Sequence, residues 1–353
     1  MLRKIKNIID AGRLTKSVGD LEKRVVDLKK SHEKGAKDLK GFGDKFVKSR
    51  QDVSALKVQT QVLAREVESL KVLCGRIAAD HARGLPASAA FKDAEFQVFS
   101  QWGEDGIIQF LLAHVPVLNE VFVEFGVQDY TESNTRFLLM NNLWSGLIMD
   151  GSEEYMTQVR KSTLGWRHTL HALSAWVTAE NVNELIASVG IKGDIGILSV
   201  DIDGVDYWVW KAITVVQPRI VIAEYNSLFG PTAKVTPPYA ADFERAKAHY
   251  SHVFYGHSLA AIEHLGKEKG LTLVGTNTAG NNAFLVRDDL AAVFPKRSVA
   301  ELDQAARFRE ARNPGGERTF PTFSEAQELI QDCFVHDLSS GMEKALKDVA
   351  GWR

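Results

Sequence analysis

Val121-Phe122-Val123-Glu124-Phe125-Gly126 is followed, 24 residues after its glycine, by Leu147-Ile148-Met149-Asp150. An apolar run closing on an acid and a glycine, a helix-sized interval, and a second apolar run closing on aspartate describe the opening β-α-β unit of a nucleotide-binding sheet. Gly126 would let the backbone turn sharply and approach a ligand closely. A carboxylate at the tip of the second strand, Asp150, can accept both hydroxyl hydrogens of a ribose. Val127 and Gln128 stand where a dinucleotide fingerprint needs further glycines, so the turn offers no bed for a pyrophosphate.

Downstream, strand-like runs recur at Val121 to Phe125, Gly146 to Met149, Thr169 to Leu173, Ile195 to Val200 and Arg219 to Ala223, each separated by a helix-sized segment. That alternation predicts a doubly wound, mainly parallel sheet. After a helix over Ala260 to Lys269, Leu271 to Gly275 and Asn282 to Val286 are joined by the short turn Thr276 to Asn281, which predicts an antiparallel hairpin at one sheet edge. The expectation is a seven-stranded Rossmann-like α/β sheet with a terminal antiparallel hairpin, over residues 96–295. Such a sheet fits a class I methyltransferase core better than a dinucleotide dehydrogenase. Residues 296–353 are polar and read as a helical extension, interrupted at Asn313-Pro314-Gly315-Gly316.

Upstream, the register of alternating four- and three-residue steps from Leu14 to Ile77 has 19 positions, and 15 of them are apolar. A heptad sustained this long predicts an α-helical coiled coil over residues 1–85, and through it a homo-oligomer. Gly35, Gly41 and Gly43 mark an expected break near residues 33–45, where an intramolecular hairpin is the alternative. The stretch Ala82 to Glu95, with Gly84, Pro86 and several Ala and Ser, reads as the way into the globular domain, with residues 86–95 as the linker.

With 353 residues, 45% of them hydrophobic, the chain is long enough for a large core and excludes a disordered protein. Net charge is −2, yet residues 1–85 hold 20 Lys/Arg against 11 Asp/Glu and the rest 23 against 34. A basic arm thus precedes an acidic body, and no nucleic acid is expected as a partner. Cys74 and Cys333 stand far apart, with no apolar run of transmembrane length, which reads as a cytoplasmic protein. Leu2, Ile5, Ile8 and Ile9 alternate with Arg3, Lys4 and Lys6. That spacing raises peripheral contact of residues 1–9 with the inner face of a membrane, a frayed helix start being the alternative.

Ligands of open α/β sheets bind outside the carboxyl ends of the strands. Those ends supply Glu124 and Gly126, Asp150, Ser174, the run Asp201-Ile202-Asp203-Gly204-Val205-Asp206, and Glu224-Tyr225-Asn226. With no phosphate to cradle, Glu124 makes sense facing a cation or amino group, and a ligand carrying a ribose and an ammonium is S-adenosylmethionine. Asp201 and Asp203 point the same way off an extended strand and need something cationic between them. A divalent metal on Asp203, Glu224 and Asn226 is the other cation the pattern admits. Asp206 reads equally as a helix cap. Ser100 to Gly106 is either a helix start, with Glu104 and Asp105 at the positive end of its dipole, or a lid bringing Gln101 and Glu104 to the cofactor. Tyr255-Gly256-His257-Ser258 offers His257 as a general base for a hydroxyl beside Asp203 and Glu224, and Pro237-Pro238-Tyr239 an acceptor-side loop.

Taken as a set, Val123-Glu124-Phe125-Gly126, Glu132-Ser133-Asn134-Thr135, the Asp201 to Trp208 run, Glu224-Tyr225-Asn226 and Asn282 to Arg287 resemble FkbM-type methyltransferases over about residues 96–290. The resemblance implies a class I fold, S-adenosylmethionine as donor and a hydroxyl acceptor, in many relatives a sugar or another surface precursor. It strengthens ligand roles for Glu124, Gly126, Asp150 and Asp201. It does not extend to His257, where the family often has a small residue, or to the coiled coil. The sequence thus reads as an oligomeric O-methyltransferase acting on a saccharide or surface-polymer hydroxyl. Its rivals are an inactive scaffold or length-setting device, and a metal-dependent nucleotide-sugar glycosyltransferase.

Overall fold

The computed structural model describes the backbone of residues 2–352 and the side chains of residues 15–352. The amphipathic pattern of Leu2, Ile5, Ile8 and Ile9 concerns side chains outside that range. The chain forms two compact units, residues 1–70 and 71–353. Among the described residues no helix is long and apolar enough to cross a membrane.

One helix, α1 (Leu2–Gly84), runs through the first unit and ends in the second. It is unbroken at residues 33–45, which corrects the expected interruption there and removes the hairpin alternative. Space around Gly35, Gly41 and Gly43 is open, so each costs the helix only the ordinary glycine penalty of about 1 kcal/mol. Twelve apolar positions of the heptad register between Val18 and Leu70 are 47–78% exposed.

In the second unit the last turns of α1 are core. Ala79 and Ala82 are fully buried, and a Cβ at Gly75 would stand 2.6 Å from Val98. The boundary expected at residue 85 therefore lies near residue 70. Residues 86–95, read as a linker, are packed as well. They carry α2 (Phe91–Ala94), and the Phe91 ring stands edge-on to Phe110 and Phe284.

Next come α3 (Glu104–His114), β1 (Val121–Phe125), β2 (Ser145–Asp150), α4 (Glu153–Lys161), α5 (Thr163–Arg167) and β3 (Leu170–Ser174). Then follow α6 (Val182–Ser188), β4 (Gly193–Val200), α7 (Asp206–Ala212), β5 (Val216–Glu224) and β6 (Val235–Thr236). After them stand α8 (Arg245–Ala248), α9 (Leu259–Glu268), β7 (Leu271–Thr276) and β8 (Asn282–Arg287). All seven strands read from sequence are present, in the order β3-β2-β1-β4-β5-β8-β7. The first five are parallel, and β8 lies antiparallel to both β5 and β7. Strand order and the antiparallel hairpin are those of the Rossmann-like methyltransferase fold.

The pleat divides the core in two. Val123, Phe125, Leu147, Met149, Leu198 and Val221 join one apolar layer, while Phe122, Ile148, Ile197, Ile220 and Phe284 join the other. The interval between β1 and β2 is not the regular helix expected there. It is a loop closed by a short π-helical turn at Leu138–Asn142, because loop residues are engaged by Glu124, as described below.

The extension is mixed, not helical. It comprises α10 (Val299–Leu302), β9 (Ala311–Arg312), β10 (Arg318–Thr319), α11 (Phe323–Ile330), β11 (Phe334–Asp337) and β12 (Met342–Ala345). Asn313 to Gly316 turns the β9–β10 hairpin, as Asn, Pro and Gly together favour. β11 pairs with both β12 and β6, and a separate apolar cluster joins Val335, Ile330 and Trp352 to Phe229 and Phe254.

Candidate functional site

A cavity of about 710 Å³ opens at the carboxyl ends of β1, β2, β4 and β5, where doubly wound sheets bind ligands. Gly126 stands at its back with φ of +72°, and a Cβ there would come 1.7 Å from the Asp201 carbonyl oxygen. This glycine lets the end of β1 lie against the end of β4. Asp150 is on the wall. One of its carboxylate oxygens accepts from the Gln128 N–H and the other from the Ser152 N–H, each at 2.8 Å. A carboxylate oxygen has a second acceptor site, so both can still take a ligand hydroxyl. Met149, Trp176 and Val177 supply apolar wall beside it.

Asp201, Asp203 and Glu224 meet on the cavity wall, with ligand oxygens all within 4.8 Å of one another. Burial pushes the carboxyls of Asp201 and Glu224 well above the ordinary range, and the neighbouring charges push them further. Asp203 is raised by desolvation too, against the pull of Arg245. It has φ of +55° and forms an ion pair with Arg245, whose guanidinium lies 5.0 Å from the centre of the Tyr255 ring. Asp206 accepts from the N–H groups of Ile202 at 2.6 Å and Gly204 at 2.9 Å. It closes the loop before α7 but does not cap the helix: it is the first residue of α7, the N-cap position is Val205, and no side chain caps there, which corrects its reading as a cap.

Several residues assigned to the site stand elsewhere. Glu124 is 4% exposed and does not line this cavity. It accepts from Ser133 Oγ at 2.6 Å, Asn134 N–H at 2.9 Å, Thr135 N–H at 3.1 Å and Thr135 Oγ1. Its donors occupy the carboxylate, so Glu124 anchors the loop after β1 rather than holding a donor ammonium. Glu104, also fully buried, accepts from the Trp102 N–H and the amides of Asn277 and Asn282. It ties α3 to the β7–β8 turn and does not touch the cavity. Asp105 accepts from the N–H groups of Val98, Phe99 and Ser100 at 2.7–2.9 Å. Residues 98–105 are therefore a braced helix start, and their tip at Gln101 and Trp102 reaches the wall.

Ser174 turns its hydroxyl to Glu153. Asn226 reaches the wall, but its oxygen accepts from the Leu228 N–H and its amide donates to the carbonyls of Val253 and Tyr255. Its amide is held by these three bonds, and it is not among the residues whose ligand oxygens cluster. His257 is fully buried, neither ring nitrogen has a partner among the described residues, and burial pushes its pKa down to about 3. A base away from the cavity and this reluctant to take a proton does not serve a substrate hydroxyl. Tyr239 donates to Glu180, away from the wall.

Of the stretch Tyr255 to Ser258 it is Tyr255 that reaches the cavity wall, and sequence reading missed Arg245, Phe243, Trp176, Phe308 and Arg309, all on that wall as well. Arg245 lies in Phe243-Glu244-Arg245-Ala246, a segment with neither motif nor period. Phe308 and Arg309 come from the extension, which closes one side of the cavity.

The fold and the cavity at its switch point define the class, a Rossmann-like methyltransferase fold. No family model matches the sequence, and no curated protein matches it. Among solved structures the chain is similar to an O-methyltransferase family protein from Burkholderia thailandensis, at 12% identity and a TM-score of 0.33, over 68% of this chain and 59% of that one. It is similar also to an S-adenosylmethionine-dependent methyltransferase from Clostridium acetobutylicum, at 11% identity and a TM-score of 0.33, over 52% of this chain and 90% of that one. A third is the DszA carbon methyltransferase, at 12% identity and a TM-score of 0.32, over 52% of this chain and 53% of that one. The chain spans less than two thirds of the first and third of these proteins. Superpositions this loose add nothing to the strand order.

Proposed function

We propose that residues 71–353 form an S-adenosylmethionine-dependent O-methyltransferase acting on a saccharide hydroxyl, a finer reading that also follows the FkbM-type resemblance. The observation that carries it is the cavity at the strand ends, with Asp150 offering two acceptor sites at one end and a group of acids at the other. When bound, the donor supplies a methyl group on a sulfonium. Asp150 holds the ribose, Met149 and Val177 line the base, and Asp201 lies toward the cationic end.

Partly exposed aromatic rings on the wall, Trp102, Trp176 and Phe308, are suited to the C–H faces of a sugar. Arg245 fixes Asp203, and Asp203 and Glu224 are the carboxylates in reach of a hydroxyl proton. Methyl transfer asks mainly for alignment of two reactants in a pocket closed to water, and the extension walls one side of this one. The exposed heptad stripe of α1 supports a homo-oligomer, and the two free cysteines support a cytoplasmic location.

Asp150→Ala should weaken S-adenosylmethionine binding at least about 100-fold, the loss of two hydrogen bonds to a charged acceptor. Calorimetry showing unchanged affinity would overturn the ribose assignment. Incorporation of labelled methyl into a cell-envelope glycan extract tests the acceptor, and label appearing in protein or lipid instead would overturn it.

A further inference from the structure

Three carboxylates are brought together from the ends of two neighbouring strands, and a hydrogen bond between Asp201 and Glu224 answers only part of their mutual repulsion. Asp201 and Asp203 follow β4, and Glu224 ends β5, with one oxygen from each inside a span of 4.8 Å. Charges of one sign this close repel unless a proton or a cation lies among them. Arg245 answers one of the three, through Oδ1 of Asp203, and Oδ2 of that residue is left over.

Glu224 gives the second, independent sign. It is 7% exposed and lines the cavity, yet its Oε2 is buried with no partner among the described residues. Glu124 and Glu104, equally buried, each accept from three or more donors. The Glu224 side chain meets Asp201 through a hydrogen bond, but an oxygen left without a donor, in a residue that lines the cavity beside two more carboxylates, has the surroundings of a cation ligand.

We propose that Asp201, Asp203 and Glu224 hold one divalent cation of the hard, oxygen-preferring class, Mg²⁺ or Mn²⁺, on the wall of the cavity. Oxygen bonds of about 2.0–2.2 Å put adjacent ligands about 3 Å and opposite ones about 4–4.4 Å apart, so oxygens within 4.8 Å of one another reach a common ion by rotation of their side chains. Asn226 is outside the set because its amide is held by Leu228, Val253 and Tyr255. Three protein ligands leave coordination positions open to the cavity. Two neighbouring hydroxyls of an acceptor can fill them, which selects a vicinal diol and makes the bound hydroxyl easier to deprotonate. The acceptor role rests on the methyltransferase reading; the cation site does not.

The full-length chain, freed of metal with a chelator, is titrated with Mn²⁺ while the paramagnetic resonance signal of the free ion is followed. One site per chain is expected, weakened at least tenfold in Asp203→Asn and in Glu224→Gln, with folding of both variants checked by circular dichroism. Asp150→Asn serves as the control and should leave Mn²⁺ affinity unchanged while lowering affinity for S-adenosylmethionine. No binding at millimolar Mn²⁺, or binding indifferent to both carboxylate variants, overturns the site. If Mn²⁺ binds as expected but methyl transfer to a diol acceptor survives the chelator, the acceptor role is overturned and the methyltransferase reading stands.

Discussion

His257 separates what a residue's type offers from what its surroundings allow. A histidine beside glycine and serine near the site reads as a base, but the ring is buried without a partner and its pKa falls to about 3 from an ordinary 6.5. Between those values the unfolded chain binds a proton that the folded chain refuses. Stability therefore declines as pH drops below about 6.5, by about 2 kcal/mol at pH 5 from this group. Buried carboxylates with raised pKa, such as Asp105 at about 6, act in the opposite direction and cancel when a variant is compared with its parent. His257→Phe keeps a ring of similar size without the titration. Its loss of stability between pH 8 and pH 5, from urea unfolding, should be smaller than the parent's by about 2 kcal/mol. Equal losses would mean that His257 charges freely in the fold. Glu124 was misread for a related reason: an acid at a strand end is visible in sequence, but Ser133 and Thr135, which consume it, are recognisable as its donors only once the loop is folded.

At the scale of elements, the seven strands were legible because apolar runs bounded by turn residues carry their own period and length. The Leu271 to Arg287 hairpin was legible from its short polar turn. Elements of irregular backbone were not. The loop between β1 and β2 is held by side-chain hydrogen bonds to one carboxylate, and β6, β11 and β12 are too short to show an alternation. The glycines of α1 mislead in the other direction, since glycine weakens a helix without ending it. Replacing Gly35, Gly41 and Gly43 together by Ala should raise the temperature at which the 222 nm helical signal of the full chain is lost, each change contributing about 1 kcal/mol. All three sites have open space for a methyl group. A lower transition temperature would show that the chain bends at these glycines.

Across the whole molecule, composition pointed to a basic helical arm and an acidic body, but placed their border 15 residues late. The last turns of α1 look like more heptad in sequence, because Cys74 and Ile77 keep the register. Their burial is carried instead by Ala79 and Ala82, small residues that a period of apolar side chains does not single out. Where a truncation begins then decides its outcome. A chain starting at Lys71 retains Ala79, Ala82 and Phe91, and should unfold at the temperature of the intact second unit. One starting at Phe96 loses all three, and should be less stable by at least about 4 kcal/mol, the cost of emptying a single buried phenylalanine site. Equal thermal stability of the two would return the border to residue 85. The same 71–353 chain tests assembly, since it lacks the exposed stripe from Val18 to Leu70. Light scattering should then give the mass of one protomer, against a multiple of it for the full chain, as a sustained heptad requires. If residues 71–353 keep the full-length oligomeric state, the contacts that assemble the protein lie on the body, and the stripe faces a different partner.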